Sequence, residues 1–436
     1  MPDKCLLLLL DGLGDRAQPE LGNKTPLQAA KTPNMDRIAA VGANGLFHAA
    51  RPGLALPSEN AHFTLFGYGQ EEFPGRGALE AMGAGMELST RDVALLAHLC
   101  FVRQRDGVLW QERDIVRDVP EAEAAALIES VAVFETDGVE VRFLREKGLF
   151  GVLRLRGDVS RYVTDTNTMR DGAPMSEVAP WREYENDAPA IRTVRVLKAY
   201  LLWAWRTLAE HPVNLAREAR GLVPVSGIVT QRAGRRRLVT PFSERYGLRG
   251  LTISSETIYK GLAAYLGLGA ISDADTGDVG ADYSRRLGLA REAMADYEFI
   301  HVHTKAPDSA AHSKDPRSKV QVIEALDRAI GEHLDPLLDD PSVLLALTSD
   351  HSTPSSGVLV HSGESVPLTF AGQGVRVDPV RQFNEVAAAT GALGTVRGRE
   401  FLYHVLNHLD RAKLAGIMDT PADQAFWPGN YKPFGI

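Results

Sequence analysis

Two short apolar runs constrain this chain more than anything else in it. Phe299-Ile300-His301-Val302 is followed by Asp308-Ser309-Ala310-Ala311-His312, and Val343-Leu344-Leu345-Ala346-Leu347 by Asp350-His351. A little further on, Val358-Leu359-Val360 ends in His361. Continuous apolar runs of this length read as buried strands of a parallel sheet. In open α/β sheets, ligands bind outside the carboxyl ends of the strands. Asp308, His312, Asp350, His351 and His361 are therefore expected along one rim. The Asp-x-x-x-His spacing puts both side chains on the same side of a helix or tight loop. One aspartate or histidine at a strand end is ordinarily a cap or a turn residue, but five at successive exits form a pattern. Mixed oxygen and nitrogen donors suit Mn, Zn or Co better than Ca or Mg.

The amino-terminal region repeats this arrangement. Cys5 to Leu10 predicts another buried strand, and it runs straight into Asp11-Gly12-Leu13-Gly14-Asp15. A glycine turn needs such residues for backbone reasons alone. In company with the other five, Asp11 becomes a sixth candidate ligand. Pro57-Ser58-Glu59-Asn60-Ala61-His62 predicts a helix start at Ser58. A serine there is commonly a cap. The same position also offers free N–H groups and partial positive charge to an alkoxide or a phosphoryl group. His62, one turn on, reads either as a supporting group or as packing.

A chain of 436 residues with 44% hydrophobic content exceeds one ordinary core, so two domains are expected. The expected division is a core of residues 1–87 and 241–436 with an inserted cap at 88–240. The insert alternates at Val139–Leu144 and Gly151–Arg156, and it carries a long helix over Val194–Leu208. In the core, helices are expected at Thr257–Leu266, Pro316–Leu334, Pro379–Thr390 and Glu400–Leu409, with an ordered tail from Met418. The glycine-rich stretch Gly75–Met86 has no preceding strand and the wrong spacing for a nucleotide fingerprint. It is expected to carry the chain out of the first domain.

A net charge of −8 argues against nucleic-acid binding through a basic surface. Cys5 and Cys100 lie in apolar surroundings, which predicts buried thiols and a reducing, cytoplasmic setting. Leu6–Leu10 is too short for a signal peptide, and no run approaches the roughly 20 apolar residues of a membrane helix. Gln231-Arg232-Ala233-Gly234-Arg235-Arg236-Arg237 reads equally well as a solvated turn or as a clamp for phosphate or carboxylate.

Ser58 with Asp11, Asp308-x-x-x-His312, Asp350-His351 and His361 resembles the alkaline phosphatase superfamily. Within it, the chain resembles the cofactor-independent phosphoglycerate mutases of the shorter, archaeal-type branch. The likeness runs in order through residues 11–15, 24–30, 32–36, 75–81, 211–214, 246–248, 350–354 and 361–362. It implies an α/β fold, with an alkaline-phosphatase-like core of mostly parallel sheet, helices on both faces and a smaller α/β cap. It implies two divalent cations, Mn or Zn. One would be held by Asp11, Ser58, Asp350 and His351, the other by Asp308, His312 and His361. Ser58 would be the nucleophile, and 3- and 2-phosphoglycerate would interconvert through a phosphoserine. The family's basic residues correspond approximately to Arg76, Arg232, Arg235 and Lys260, with Asp165 also facing the substrate, a small phosphorylated carboxylic acid. The resemblance leaves monomer and homo-oligomer open.

Three segments depart from the family pattern. Ser313-Lys314-Asp315 replaces an Asp-Gly-Asp-like run, and Asp165-Thr166-Asn167-Thr168-Met169 lacks the family's histidine. Arg145-Glu146-Lys147-Gly148 stands where a histidine-rich segment is usual. These departures keep a second expectation in view, in which a phosphomonoesterase or a phosphonate-processing enzyme shares the same chemistry.

Overall fold

The computed structural model describes residues 1–414 and 433–436, so most of the expected tail from Met418 lies outside the described residues. The chain divides into two compact units, Met1–Phe73 with Val239–Ile436, and Pro74–Leu238.

In chain order the strands are β1 (Lys4–Leu10), β2 (Gly42–His48), β3 (Val93–Arg105), β4 (Val108–Arg113), β5 (Val133–Thr136), β6 (Val139–Lys147), β7 (Phe150–Arg156) and β8 (Ala173–Pro174). They continue as β9 (Gly227–Gly234), β10 (Gly250–Ser254), β11 (Gly269–Ser272), β12 (Phe299–Thr304), β13 (Val343–Thr348), β14 (Val366–Ala371) and β15 (Gly394–Arg397). The first unit holds an eight-stranded sheet in the order β11-β10-β12-β1-β13-β14-β2-β15. All neighbours run parallel except β14, which is antiparallel to both β13 and β2. Leu6 to Leu10 are completely buried because β1 lies mid-sheet, as its unbroken apolar run requires. Leu10 pairs with Thr304 and Leu9 with Thr348. The chain therefore leaves β1, β12 and β13 at nearly one level, and Asp11, Lys305 and Ser349-Asp350 emerge on the same rim.

Helices pack against this sheet. Thr257–Leu266 has the expected bounds, and Pro316 opens a helix that continues to Asp339 through Pro336. Its stripe of Ile323, Leu326, Ile330 and Leu334 is buried, while Val320 is only half-buried. The expected helix at Pro379–Thr390 shrinks to Glu385–Ala388. The Asp378 carboxylate explains this, because it accepts from the backbone N–H groups of Asn44, Val380 and Ala392 and binds the preceding segment to β2. Asn384 then caps the short helix. Cys5 and Cys100 are free and buried, as their surroundings predict.

The second unit is built on an antiparallel sheet, β5-β6-β7-β3-β4-β8, with β9 added to β3. Its long helix begins earlier than expected, at Ala188, because Asp187 caps the Ala190 N–H. The first boundary falls at residue 74, earlier than the expected 88. The glycine-rich stretch is not an exit loop but a helix, Arg76–Gly83, seated on β3 and β9. A Cβ on Gly77 would lie 2.1 Å from the Ala94 carbonyl oxygen, so only glycine admits this seating.

One buried cation joins the rim loops of the first unit. Lys319, fully enclosed, donates to the Gly14 carbonyl (2.9 Å), the Thr353 carbonyl (2.8 Å) and Asp15 Oδ2 (3.1 Å). Replacing it with methionine removes a charged donor from the Thr353 carbonyl, and from the Gly14 carbonyl and Asp15 Oδ2, which keep only the N–H groups of Thr353 and Ser355. Lys319→Met is expected to lower unfolding stability by about 3–5 kcal/mol, measured by urea titration.

Candidate metal centre

Each side chain at the rim is placed by the element it leaves. Asp11 follows β1, and Gly12 adopts φ +65° with its Cα pressed on Asp308; an added Cβ would lie 2.7 Å from the Asp308 Cβ. The helix Ala306–His312 follows β12 and stacks Asp308 over His312, with Asp308 Oδ2 and His312 Nε2 3.2 Å apart. Asp350 and His351 follow β13. Ser58 is the first residue of the helix Ser58–Leu65, behind Pro57, and its side chain does not cap the helix. Its Oγ lies 2.9 Å from His351 Nε2. The helix N-terminus adds partial positive charge at that oxygen.

Hydrogen-bond partners fix the histidine tautomers. His351 Nδ1 donates to Thr353 Oγ1 (3.1 Å), whose own proton goes to Asp308 Oδ1 (2.7 Å). His361 Nδ1 donates to the Leu56 carbonyl (2.8 Å), and His62 Nδ1 to the Ser58 carbonyl (2.8 Å). The Nε2 atoms of His351 and His361 then carry lone pairs. His351 Nε2 sits 3.1 Å from Asp350 Oδ2 and 3.5 Å from Asp11 Oδ1; His361 Nε2 sits 3.6 Å from Asp308 Oδ1. Lone pairs on nitrogen facing carboxylate oxygens repel one another unless a cation lies between them.

The three aspartates are divided in a matching way. In each, one oxygen is bonded into the scaffold. Asp11 Oδ2 accepts from the Tyr259 hydroxyl (2.6 Å) and His303 Nε2 (3.0 Å). Asp350 Oδ1 accepts from the N–H groups of Gly12 and His351, and Asp308 Oδ1 from Thr353. The other oxygens, Asp11 Oδ1, Asp350 Oδ2 and Asp308 Oδ2, are buried without a hydrogen-bond partner among the described residues. Buried polar atoms are ordinarily satisfied. Three orphaned carboxylate oxygens beside unprotonated imidazoles are the donor set of a metal site. Donor atoms of Asp308, His312 and His361 lie within 4.8 Å of one another, as do those of Asp11, Asp308 and His351. All seven residues named from the sequence meet on this rim, and they could hold two adjoining cations.

The local charges agree with this. Burial alone would raise the Asp11 carboxyl, but the Lys305 ammonium and the hydrogen bond from His303 outweigh it and hold it well below the usual carboxylate range. Asp308 is likewise pushed down to about 2, because His312 and Lys305 overcome its burial. Burial lowers His361. Lys305 Nζ lies 3.5 Å from Asp308 Oδ2 and 4.0 Å from Asp11 Oδ2. Burial disfavours its charge, yet Asp11, Glu256 and Asp308 hold it firmly protonated.

The basic residues named from the sequence are more scattered. Lys260 is exposed on its helix, and the lysine beside the carboxylates is Lys305. In the second unit, Arg76 pairs with Glu80, and Arg235 donates to the Val159 carbonyl. Arg232 sits at φ +54° and donates its backbone N–H to Asp165 Oδ1 (2.7 Å). Asp165 is raised by burial. Of this stretch only Gln231-Arg232-Ala233-Gly234 belongs to β9, and Arg235, Arg236 and Arg237 follow the strand. Asn167 is held within its own unit: its Oδ1 accepts from Gln111 and from the Met169 N–H, which leaves Met169 exposed at φ +53°.

Sequence reasoning passed over Tyr259, His303, Lys305 and Thr353. The signal for His303 was its alternation with His301 along a strand, which puts both on one face. Tyr259 carried no signal, since it lies 248 residues from its partner Asp11.

The fold and this donor set define an α/β metalloenzyme with a serine at the meeting point of its ligands. The model of the metalloenzyme superfamily matches residues 3–408. A 2,3-bisphosphoglycerate-independent phosphoglycerate mutase of Methanocaldococcus jannaschii is 39% identical over 95% of both chains. One from Methanopyrus kandleri is 38% identical, over 95% of this chain and 98% of its own. Among solved structures, a Pyrococcus horikoshii protein superposes with a TM-score of 0.78 at 28% identity, covering 95% of this chain and all of its own. The cofactor-independent phosphoglycerate mutase of Thermoplasma acidophilum does so with a TM-score of 0.66 at 29% identity, over 93% and 99%. The chain belongs to the cofactor-independent phosphoglycerate mutase family of the metalloenzyme superfamily.

The folded pKa of Asp308 lies below its ordinary value of 3.8. Its contribution to stability is therefore complete above that value and lost as pH falls through about 2. Urea midpoints of the metal-free protein are expected to decline between about pH 5 and about pH 2, and less steeply in Asp308→Asn.

Proposed function

We propose that this protein interconverts 3-phosphoglycerate and 2-phosphoglycerate through a phosphoserine at Ser58. The observation that carries this reading is the gathering of three half-satisfied carboxylates and two unprotonated imidazole nitrogens on one rim, with His351 Nε2 2.9 Å from Ser58 Oγ. The names borne by relatives matched over nearly the whole chain supply the substrate.

In this reading Asp11, Ser58, Asp350 and His351 hold one divalent cation, and Asp308, His312 and His361 the other, with Mn or Zn favoured by the donor set. Such cations lower the pKa of a serine hydroxyl and offset the charge of a phosphoryl group in flight. The chain's own groups do the rest. Ser58 Oγ attacks phosphorus in line, and the glycerate oxygen leaves. The helix dipole at Ser58 and the ammonium of Lys305 add positive charge where the equatorial oxygens gather it. The glycerate then takes the phosphoryl group back on its other hydroxyl. Arg76, Arg232, Arg235 and Asp165 are our candidates for gripping the acid, and Lys305 replaces Lys260 in that group. No helix among the described residues is long and apolar enough to cross a membrane. We place the protein in the cytoplasm, in glycolysis, with a small phosphorylated acid as its partner and oligomeric state left to measurement.

The hydrolase alternative drew on the altered segment Asp165–Met169. Asn167 and its neighbours bond within their own unit, which gives no specific support to water as acceptor. The mutase reading is retained.

Mn-loaded protein given 3-phosphoglycerate is expected to form 2-phosphoglycerate, followed by coupled enolase absorbance, without releasing phosphate. Ser58→Ala should lose at least about 1,000-fold in kcat with its melting temperature unchanged. Free phosphate as the main product would overturn the mutase reading, and an active Ser58→Ala would remove the nucleophile assignment.

A further inference from the structure

Asp11 differs from the other two aspartates in what holds its bonded oxygen. Asp350 Oδ1 is gripped by backbone N–H groups, and Asp308 Oδ1 by a hydroxyl of the adjacent loop. Asp11 Oδ2 is gripped by two side chains from other elements, the Tyr259 hydroxyl at 2.6 Å and His303 Nε2 at 3.0 Å. All three residues are buried. Tyr259 lies in the first turn of the helix that follows β10, and His303 lies on β12. The tyrosine ring packs on the imidazole, with centroids 3.9 Å apart.

The consequence is directional. A carboxylate has about four acceptor sites on two oxygens. Two donors on Oδ2 occupy that oxygen and fix the plane of the group. Oδ1 is left without a hydrogen bond among the described residues, 3.5 Å from His351 Nε2. Short hydrogen bonds to an ionised carboxylate are among the stronger ones, and an oxygen so engaged does not swing toward a second task.

We infer that Tyr259, with His303, is a positioning residue that makes Asp11 a one-oxygen ligand, presenting Oδ1 alone to the cation shared with Ser58. This rests on the proposed metal-dependent reading of the rim. Tyr259 touches neither Ser58 nor a substrate; it acts through Asp11. A freed Asp11 would rotate, engage a cation through both oxygens or turn away, and hold it less tightly beside Ser58.

The test removes one atom. Full-length metal-free Tyr259→Phe is titrated with Mn²⁺, the free ion being followed by electron paramagnetic resonance, alongside the wild type. The wild type should take up two ions. Tyr259→Phe should bind one of them about 10- to 100-fold more weakly, with the other site unchanged. Loading with Co²⁺ should shift the visible absorption of the variant, because the ligand set at one ion changes. His303→Gln, which retains a side-chain N–H donor, should lose less affinity than His303→Ala. Identical titrations of wild type and Tyr259→Phe would overturn the inference. So would equal weakening of both sites together with a lowered metal-free melting temperature, because that is the mark of a merely structural tyrosine. Failure of the wild type to bind Mn²⁺ at all would instead remove the metal-dependent reading itself.

Discussion

The rim of the parallel sheet depends on a single ammonium. Lys319 reaches from the helix Pro316–Asp339 to the loop after β1 and the loop after β13, and it bonds to both at once. Those loops carry Asp11 and Asp350-His351. The helix that supplies Lys319 begins four residues after His312. One cation thus ties together the three segments from which the metal ligands project. Taking a lysine fully out of water costs several kcal/mol, and only complete hydrogen bonding offsets it. Here three acceptors satisfy its three donors. Burial still lowers the Lys319 pKa, and Asp15 opposes that shift.

Above that tie, the site is organised by incompleteness. Scaffold bonds occupy one oxygen of each aspartate and one nitrogen of His351, His361 and His62. What remains are acceptor atoms: His351 Nε2 faces Asp350 Oδ2 at 3.1 Å and Asp11 Oδ1 at 3.5 Å, and it lies 2.9 Å from Ser58 Oγ. A protein interior rarely leaves such atoms unpaired. The cost of assembling them is the cost of pre-organising a cation site, and the serine sits where such a site would act on it.

Much of this could be read from the sequence because strand exits are local. An apolar run followed by Asp or His announces a buried strand and a rim residue together, so Asp11, Asp308, Asp350 and His351 were legible as a series, though none of them singly. The Ser58 helix start and the Asp308–His312 spacing were legible for the same reason. What was misread involved contacts distant in the chain. The helix expected over Pro379–Thr390 gave way because Asp378 reaches back to Asn44 in β2. The glycine-rich stretch after Pro74 does stand where the chain leaves the first unit, but it is helical there, because its glycines allow close seating on β3 and β9. Lys260 was chosen as a cation facing the substrate, yet its neighbour Tyr259 is the residue that turns inward.

Residue order alone carries the donor types, the strands that deliver them and the family to which they belong, since periodicity and short spacings act within a few residues. Which oxygen of each aspartate is held and which is left over depends on the folded arrangement. For Asp11 and Asp308 the choice is made by Tyr259, His303 and Thr353, and for Asp350 by the Gly12 and His351 N–H groups, and most of these partners meet their carboxylates only once β1, β10, β12 and β13 lie in one sheet. Hydrogen-bond direction is a property of three-dimensional neighbours, and no local pattern encodes it.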